Sequence, residues 1–434
     1  VNYGDFLQQK RRIVGPGGIE TNSLALPSQL YDWQEALSRW ALRKGRAAIF
    51  ADCGLGKTFM QVSWANALDV PTLILAPLCV AEQTVSEAAK LGIQVQYARD
   101  STAARHSKII ITNYERLDKF DPNDFQAVVL DESSILKSFD GKTRTKLIKT
   151  FQKTPYRLCC SATPAPNDIA ELANHAEFLG LMTRAEFLAT WFVHDDTGWR
   201  MKRHAVQPFY RWLASWAIAM RRPSDLGYSD DGFRLPPLRI HDIVVEADIA
   251  SHTLFPELSI KGISGRLSTR RGSLEPRLDA AVNLIHERGV SWLAWCGLNT
   301  ESAALTAAIP NAVEVQGSDS YAEKAGAVTA FVDRRLNVLI TKISILGYGM
   351  NFQHCSHMLF MGIGDSFEQY YQGIRRCWRF GQQHPVDVYI VVSEAERIVV
   401  ENVRRKEQQY SELSTGLVEH MTEFEREELC QTVA

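Results

Sequence analysis

No apolar run in the chain approaches the roughly 20 residues that a bilayer-spanning helix needs. The N-terminal stretch lacks the charged-then-apolar order of a secretory leader. The eight cysteines include no Cys-x-x-Cys pair, and Cys159 and Cys160 are adjacent, which suits neither a zinc site nor a disulfide framework. Low-complexity tracts are missing too. These absences set aside a membrane span and a secreted disulfide scaffold, and the expected location is the reducing cytoplasm. Excess charge of one sign is also absent: the formal net charge is −2, which argues neither for nor against nucleic acid. Local basic clusters exist at Lys10-Arg11-Arg12, Arg43-Lys44-Gly45-Arg46, 200–203 and 261–271, and glutamates near the end of the chain offset them. Taken singly, each cluster reads as solvated surface.

What is present is ordinary globular material: 45% hydrophobic and 23% charged over 434 residues, enough for two or three domains. Short apolar strands alternate with amphipathic helical stretches, the pattern of parallel α/β domains. In the first half strands are predicted at 47–51, 72–76, 108–112, 127–130 and 156–160, with helices at 29–44, 57–67 and 80–91. In the second half strands are predicted at 291–296, 312–315, 337–341, 357–361 and 386–391. Between the halves, residues 171–222 are rich in Trp, Phe and Arg and read as a helical insertion whose tryptophans (Trp191, Trp199, Trp212, Trp216) are core, or base-stacking platforms as the sharper alternative. Leu235-Pro236-Pro237 reads as a stiff boundary. The expected division is an N-terminal extension over 1–28, a first lobe over 29–235, a second over 236–413 with a charged helix at its end, and an acidic tail over 414–434.

Three local patterns carry chemistry. Ala51-Asp-Cys-Gly-Leu-Gly-Lys-Thr58 follows a strand and opens a helix, as a phosphate-binding loop requires. Gly54, Leu55 and Gly56 turn backbone N–H groups toward phosphates, Lys57 meets the β- and γ-phosphates, and Thr58 ligates magnesium. The apolar strand ending in Asp131-Glu132 puts two acids at a sheet's C-terminal edge, Asp131 for magnesium and Glu132 for the attacking water. Ser161-Ala162-Thr163-Pro164 follows the next strand and is suited to passing hydrogen bonds outward from that site. Far downstream, Arg376 and Arg379 sit three apart and share a helix face, matching the oxygens of a transferring phosphoryl group.

In this order the motifs resemble the Swi/Snf-type ATPases, a branch of the superfamily-two helicase-like motors, over about 30–406. The resemblance implies two RecA-like parallel-sheet lobes in tandem with the helical insertion between them. It assigns adenine reading to Gln34, nucleic-acid backbone contacts to Pro77, Thr112, Asn113 and Asn351, and coupling to Ser161, Thr163 and Gln372. It makes Gly349 part of the nucleotide site and Arg376 and Arg379 the arginine fingers. Ser133-Ser134 stand where the family carries Ala-His after its two acids. Arg375 replaces the usual glycine before Arg376, leaving open which of three arginines reaches the γ-phosphate. Gly364-Asp365-Ser366-Phe367 stands in place of Trp-Trp-Asn-Pro.

The reading is a bare motor of bacterial or phage type: an ATP- and Mg2+-dependent translocase on duplex DNA, displacing a bound protein of unspecified identity. It is expected to be monomeric, with no membrane partner. A strand-separating DNA or RNA helicase and an ATP-switched DNA clamp are the alternatives.

Overall fold

The computed structural model describes residues 13–77, 80–104, 107–137, 141–195, 198–246, 270–347 and 350–433. The chain divides into two compact units. One comprises the described residues up to Phe233 together with those from Gln409 onward, the other Arg234–Gln408. Among the described residues, no helix is long and apolar enough to cross a membrane.

The first unit is built on β1 (Arg46–Ala51), β2 (Thr72–Ala76), β3 (Val95–Tyr97), β4 (Ile109–Asn113), β5 (Ala127–Asp131), β6 (Tyr156–Cys160) and β9 (Ala217–Met220), with a separate hairpin of β7 (Phe192–Asp195) and β8 (Gly198–Met201). The large sheet runs β3-β4-β2-β5-β6-β1-β9 with all neighbours parallel. Its central strands are buried on both faces, which is why they read as unbroken apolar runs rather than alternating ones. The order leaves β6 between the strand of the phosphate loop and the strand of the acids. All three therefore end side by side at one sheet edge.

The 171–222 region is not purely helical. It holds the helices Leu172–Leu179, Arg184–Trp191 and Val206–Ala214, but also the hairpin and β9. The sequence Ala-Ile-Ala-Met is too short and too small to announce itself as a strand beside tryptophans. Trp191, Trp212 and Trp216 are 1%, 3% and 0% exposed and pack with Phe187 and Phe209, so they are core and unavailable for stacking on bases.

In the second unit, β10 (Leu238–Val245), β11 (Trp292–Cys296), β12 (Val313–Val315), β13 (Val338–Thr341), β14 (His357–Met361) and β15 (Val386–Ser393) form one parallel sheet in the order β10-β15-β14-β11-β13-β12. At its core lies an ion network. Arg277 and Glu301, both 0% exposed, pair at 2.9 Å, Arg270 adds a contact of 2.6 Å to the same carboxylate, and Glu396 stands 3.5 Å from Arg277. Glu301 also accepts from the N–H groups of Gly297 and Leu298 at 3.0 Å, fixing the loop after β11.

The sequence suggested an acidic tail from residue 414. Instead one helix runs Arg397–Val433, and its later part belongs to the first unit. Leu417 and Met421 enter that unit's core, and Lys44 pairs with Glu428 at 2.7 Å. Glu425, fully buried, accepts from Ala219 N–H at 2.7 Å, so a carboxyl group covers the outer side of the edge strand β9. The tail read as acidic because its glutamates cluster there, yet Leu417, Met421 and Leu429 recur at helical spacing and are buried.

Burial pushes the Glu425 carboxyl well above the usual carboxylate range, with the Ala219 N–H opposing. A carboxyl whose folded pKa is raised contributes stability below its unfolded pKa of about 4.3 and loses that contribution as pH rises toward the folded value. Glu425→Gln keeps an oxygen for Ala219 and does not ionise. Its melting temperature is therefore expected to fall less than that of wild type between pH 5 and 8. Parallel melting curves across that range would exclude this account.

Candidate functional site

The phosphate loop leaves β1 at Ala51 and closes on the helix Lys57–Leu68. Gly54 and Gly56 have φ of 89° and 71°, the left-handed region that lets successive N–H groups converge at no steric cost. A Cβ on Gly56 would also lie 2.4 Å from Gln34 Nε2. Gln34 itself is 3% exposed: its Oε1 accepts from Tyr31 N–H at 3.1 Å and its Nε2 donates to the Leu55 carbonyl at 3.1 Å. The residue expected to read adenine thus steadies the phosphate loop from behind, with its amide oxygen already used.

Lys57 Nζ rests on two neutral acceptors, the carbonyls of Ala51 at 2.8 Å and Asp52 at 3.3 Å. One turn further along the same helix face, Gln61 Nε2 donates to Asp131 Oδ1 at 2.6 Å. Burial raises the pKa of Asp131, and the Gln61 hydrogen bond and the Lys57 charge pull it back. A desolvated carboxylate facing an ammonium that leans on neutral carbonyls is a donor set that a magnesium–phosphate pair would complete. Sequence reading missed Gln61, although its position four residues after Lys57 was a usable signal.

Glu132 follows at φ +52°, a left-handed conformation that costs a non-glycine residue about 1–2 kcal/mol. Tyr114 Oη donates to the Asp131 carbonyl at 2.7 Å, and Ile135 N–H donates to that of Glu132 at 3.2 Å. The turn Ser133–Lys137 then leads away. Just after β6, Ser161 and Thr163 are fully buried, and Ser161 Oγ accepts from Thr163 N–H at 3.0 Å. Thr163 Oγ1 is buried without a hydrogen-bond partner, and Tyr410 Oη donates to the Ala162 carbonyl at 2.5 Å.

In the second unit the three arginines separate clearly. Arg375, 1% exposed, lies with its guanidinium 4.9 Å from the Trp378 ring and 5.8 Å from those of Tyr371 and Phe380. It is a packing residue in an aromatic cage. Arg376 donates to the Gln372 carbonyl at 3.0 Å, to Gln372 Oε1 at 2.8 Å and to the Met350 carbonyl at 3.2 Å, so Gln372 orients it. Arg379 donates to Asn351, an exposed residue. The aromatic residues around 375 were visible in the sequence.

The expected nucleic-acid contacts fare differently. Pro77 is half-buried and Asn351 exposed, but Thr112 and Asn113 are 0% and 3% exposed. They end β4, an interior strand between β3 and β2, so their side chains are packed inside the unit rather than presented to a backbone. Asn113 accepts from Tyr97 Oη at 3.4 Å, and the neighbouring Tyr114 points inward to the acid turn. Gly349 lies outside the described residues, as do Lys261 and Arg266 of the basic stretch 261–271.

A model of the SNF2-related domain matches residues 28–196, and a model of the helicase conserved C-terminal domain matches residues 295–381. Between them they span more than half of the chain. No curated protein sequence matches. Among solved structures, the Sulfolobus solfataricus SWI2/SNF2 ATPase core in complex with dsDNA is similar at a TM-score of 0.44 and 16% identity, over 96% of this chain and 99% of that one.

Proposed function

The chain belongs to the SNF2-related, Swi/Snf-type helicase-like ATPases, and from that premise we propose that it is a DNA-stimulated ATPase that moves along duplex DNA and displaces protein bound to it. The observation that carries the reading is the meeting of the phosphate loop, Asp131-Glu132 and Ser161–Thr163 on adjacent strands at one sheet edge. The loop amides and Lys57 bind phosphate oxygens, and Thr58 and Asp131 hold magnesium, which when bound neutralises phosphate charge. Glu132 orients and deprotonates the attacking water. Arg376 and Arg379 add positive charge at the transferring group, with Gln372 and Asn351 setting their directions.

ATP turnover should be compared without nucleic acid and with single-stranded DNA, duplex DNA and RNA, over a salt series. Duplex DNA is expected to stimulate most, and the stimulation should fall steeply with salt because the contacts are to phosphates. Equal rates in all four conditions would end the motor reading, and wild-type stimulated turnover in the double variant Arg376→Ala/Arg379→Ala would end the role of those arginines. The strand-separating alternative draws on the hairpin β7–β8, which pairs with neither large sheet and carries a half-buried Trp199 against His194 at 4.9 Å. Release of a labelled strand from protein-free duplex would favour it.

A further inference from the structure

We propose that His175 is a positioning residue for ATP hydrolysis, holding Glu132 in its working direction through Ser133. The inference rests on the assignment of Glu132 as the base above. Glu132 is one of four non-glycine residues with positive φ among the described residues, and such a backbone persists only where its neighbours fix it. The next residue, Ser133, is 0% exposed, and its Oγ lies 3.1 Å from His175 Nε2. His175 is also 0% exposed. Its ring meets Phe50 edge-on at 5.2 Å, and Phe50 is the strand residue just before the phosphate loop. One imidazole therefore touches both the strand that delivers the loop and the turn that delivers the acid.

The same helix grips the turn at its other end. Asn174 Nδ2 donates to the Leu136 carbonyl at 2.8 Å and to that of Lys137 at 3.3 Å. Glu132 is thus followed by a turn clamped at both ends by the helix Leu172–Leu179. A filler role for the imidazole fits poorly. His175 Nδ1 is buried with no hydrogen-bond partner, so an apolar side chain would fill the space without stranding a polar atom. Burial pushes the His175 pKa down to about 3, so the ring works uncharged, as a hydrogen-bonding strut. Its donor lies best on Nε2, toward Ser133. The sequence offered half of this: Ser133-Ser134 lack the histidine expected after the acids, and the structure brings an imidazole there from another element.

The test is steady-state turnover with separate measurement of kcat and KM for ATP on the full chain, alongside melting temperature. Glu132→Gln comes first. If it turns over like wild type, the base assignment fails and His175 is not at issue. If it is inactive, His175→Leu is expected to lower kcat at least tenfold with KM within about twofold of wild type. His175→Gln, which can place an amide N–H near the position of Nε2, should restore much of that loss. Should His175→Leu not fold, Ser133→Ala decides, with an expected several-fold fall in kcat at unchanged KM and melting temperature. Wild-type kcat in a folded His175→Leu or in Ser133→Ala overturns the proposal. So does a loss that follows melting temperature and is the same for leucine and glutamine.

Discussion

Lys57→Ala is expected to lower stimulated ATP turnover by on the order of 10²–10³-fold or more, the range for removing one preorganised donor from a charge-developing site. The ammonium sits at the start of the helix Lys57–Leu68, held by the carbonyls of Ala51 and Asp52, and is already placed rather than free to wander. Its removal also strips Asp131 of a charge that favours the carboxylate form. Binding should therefore weaken together with turnover. Glu132→Gln separates the two effects. It keeps size and polarity but cannot take a proton, so nucleotide should bind and remain unhydrolysed while turnover falls by roughly 10²–10⁴-fold. Fluorescent-nucleotide binding beside single-turnover hydrolysis distinguishes the pair. Tight binding in Lys57→Ala, or weak binding in Glu132→Gln, would reverse the assignments.

The second large effect is on stability. Arg277→Met is expected to destabilise the second unit by about 3–5 kcal/mol, the usual cost of leaving a buried charge without its partner. That is a large share of the roughly 5–15 kcal/mol by which a domain is stable. Methionine fills much of the space, so the loss comes from charge: Glu301 keeps Arg270 as its one cation beside two backbone N–H donors, and Glu396 loses its nearer arginine. An exposed pair supplies the control. Arg335–Asp333, at 3.0 Å with both side chains more than half exposed, should contribute at most about 1 kcal/mol. Denaturant titration of the two single variants measures the difference, and equal midpoints would show that the buried network is not what holds the unit. Replacing Arg277 and Glu301 together by apolar residues should recover part of the loss.

How far the sequence told this in advance depends on distance along the chain. The phosphate loop, the acids and Ser161–Thr163 are contiguous motifs whose geometry is set by a strand and a turn, and they were legible at once. Most sheet strands were legible because burial on both faces demands unbroken apolar runs. β10 was missed despite its partial alternation, since it begins directly after two prolines, and β3 has only three residues. What stayed hidden are contacts made across the fold. Tyr114 reaches Asp131, His175 reaches Ser133, and Tyr410 reaches Ala162, and no local pattern encodes any of these pairings. The burial of Thr112 and Asn113, to which the resemblance assigned nucleic-acid contacts, was likewise hidden, because it comes from the place of β4 inside the sheet. The hydrogen bond from Gln34 to the loop carbonyl of Leu55 was hidden in the same way.

The return of the chain to its first unit after Gln408 has a consequence for synthesis. A ribosome releases the seven strands of the first sheet by Met220, yet the carboxyl that covers β9 and the side chains that close the core behind it follow only with Leu417, Met421 and Glu425. The entire second unit emerges in between. During that interval the nascent nucleotide-binding unit carries an open edge strand and an uncovered apolar face, the features that recruit holdases and invite mispairing. Completion therefore runs against the order of translation: the unit made first is the one finished last.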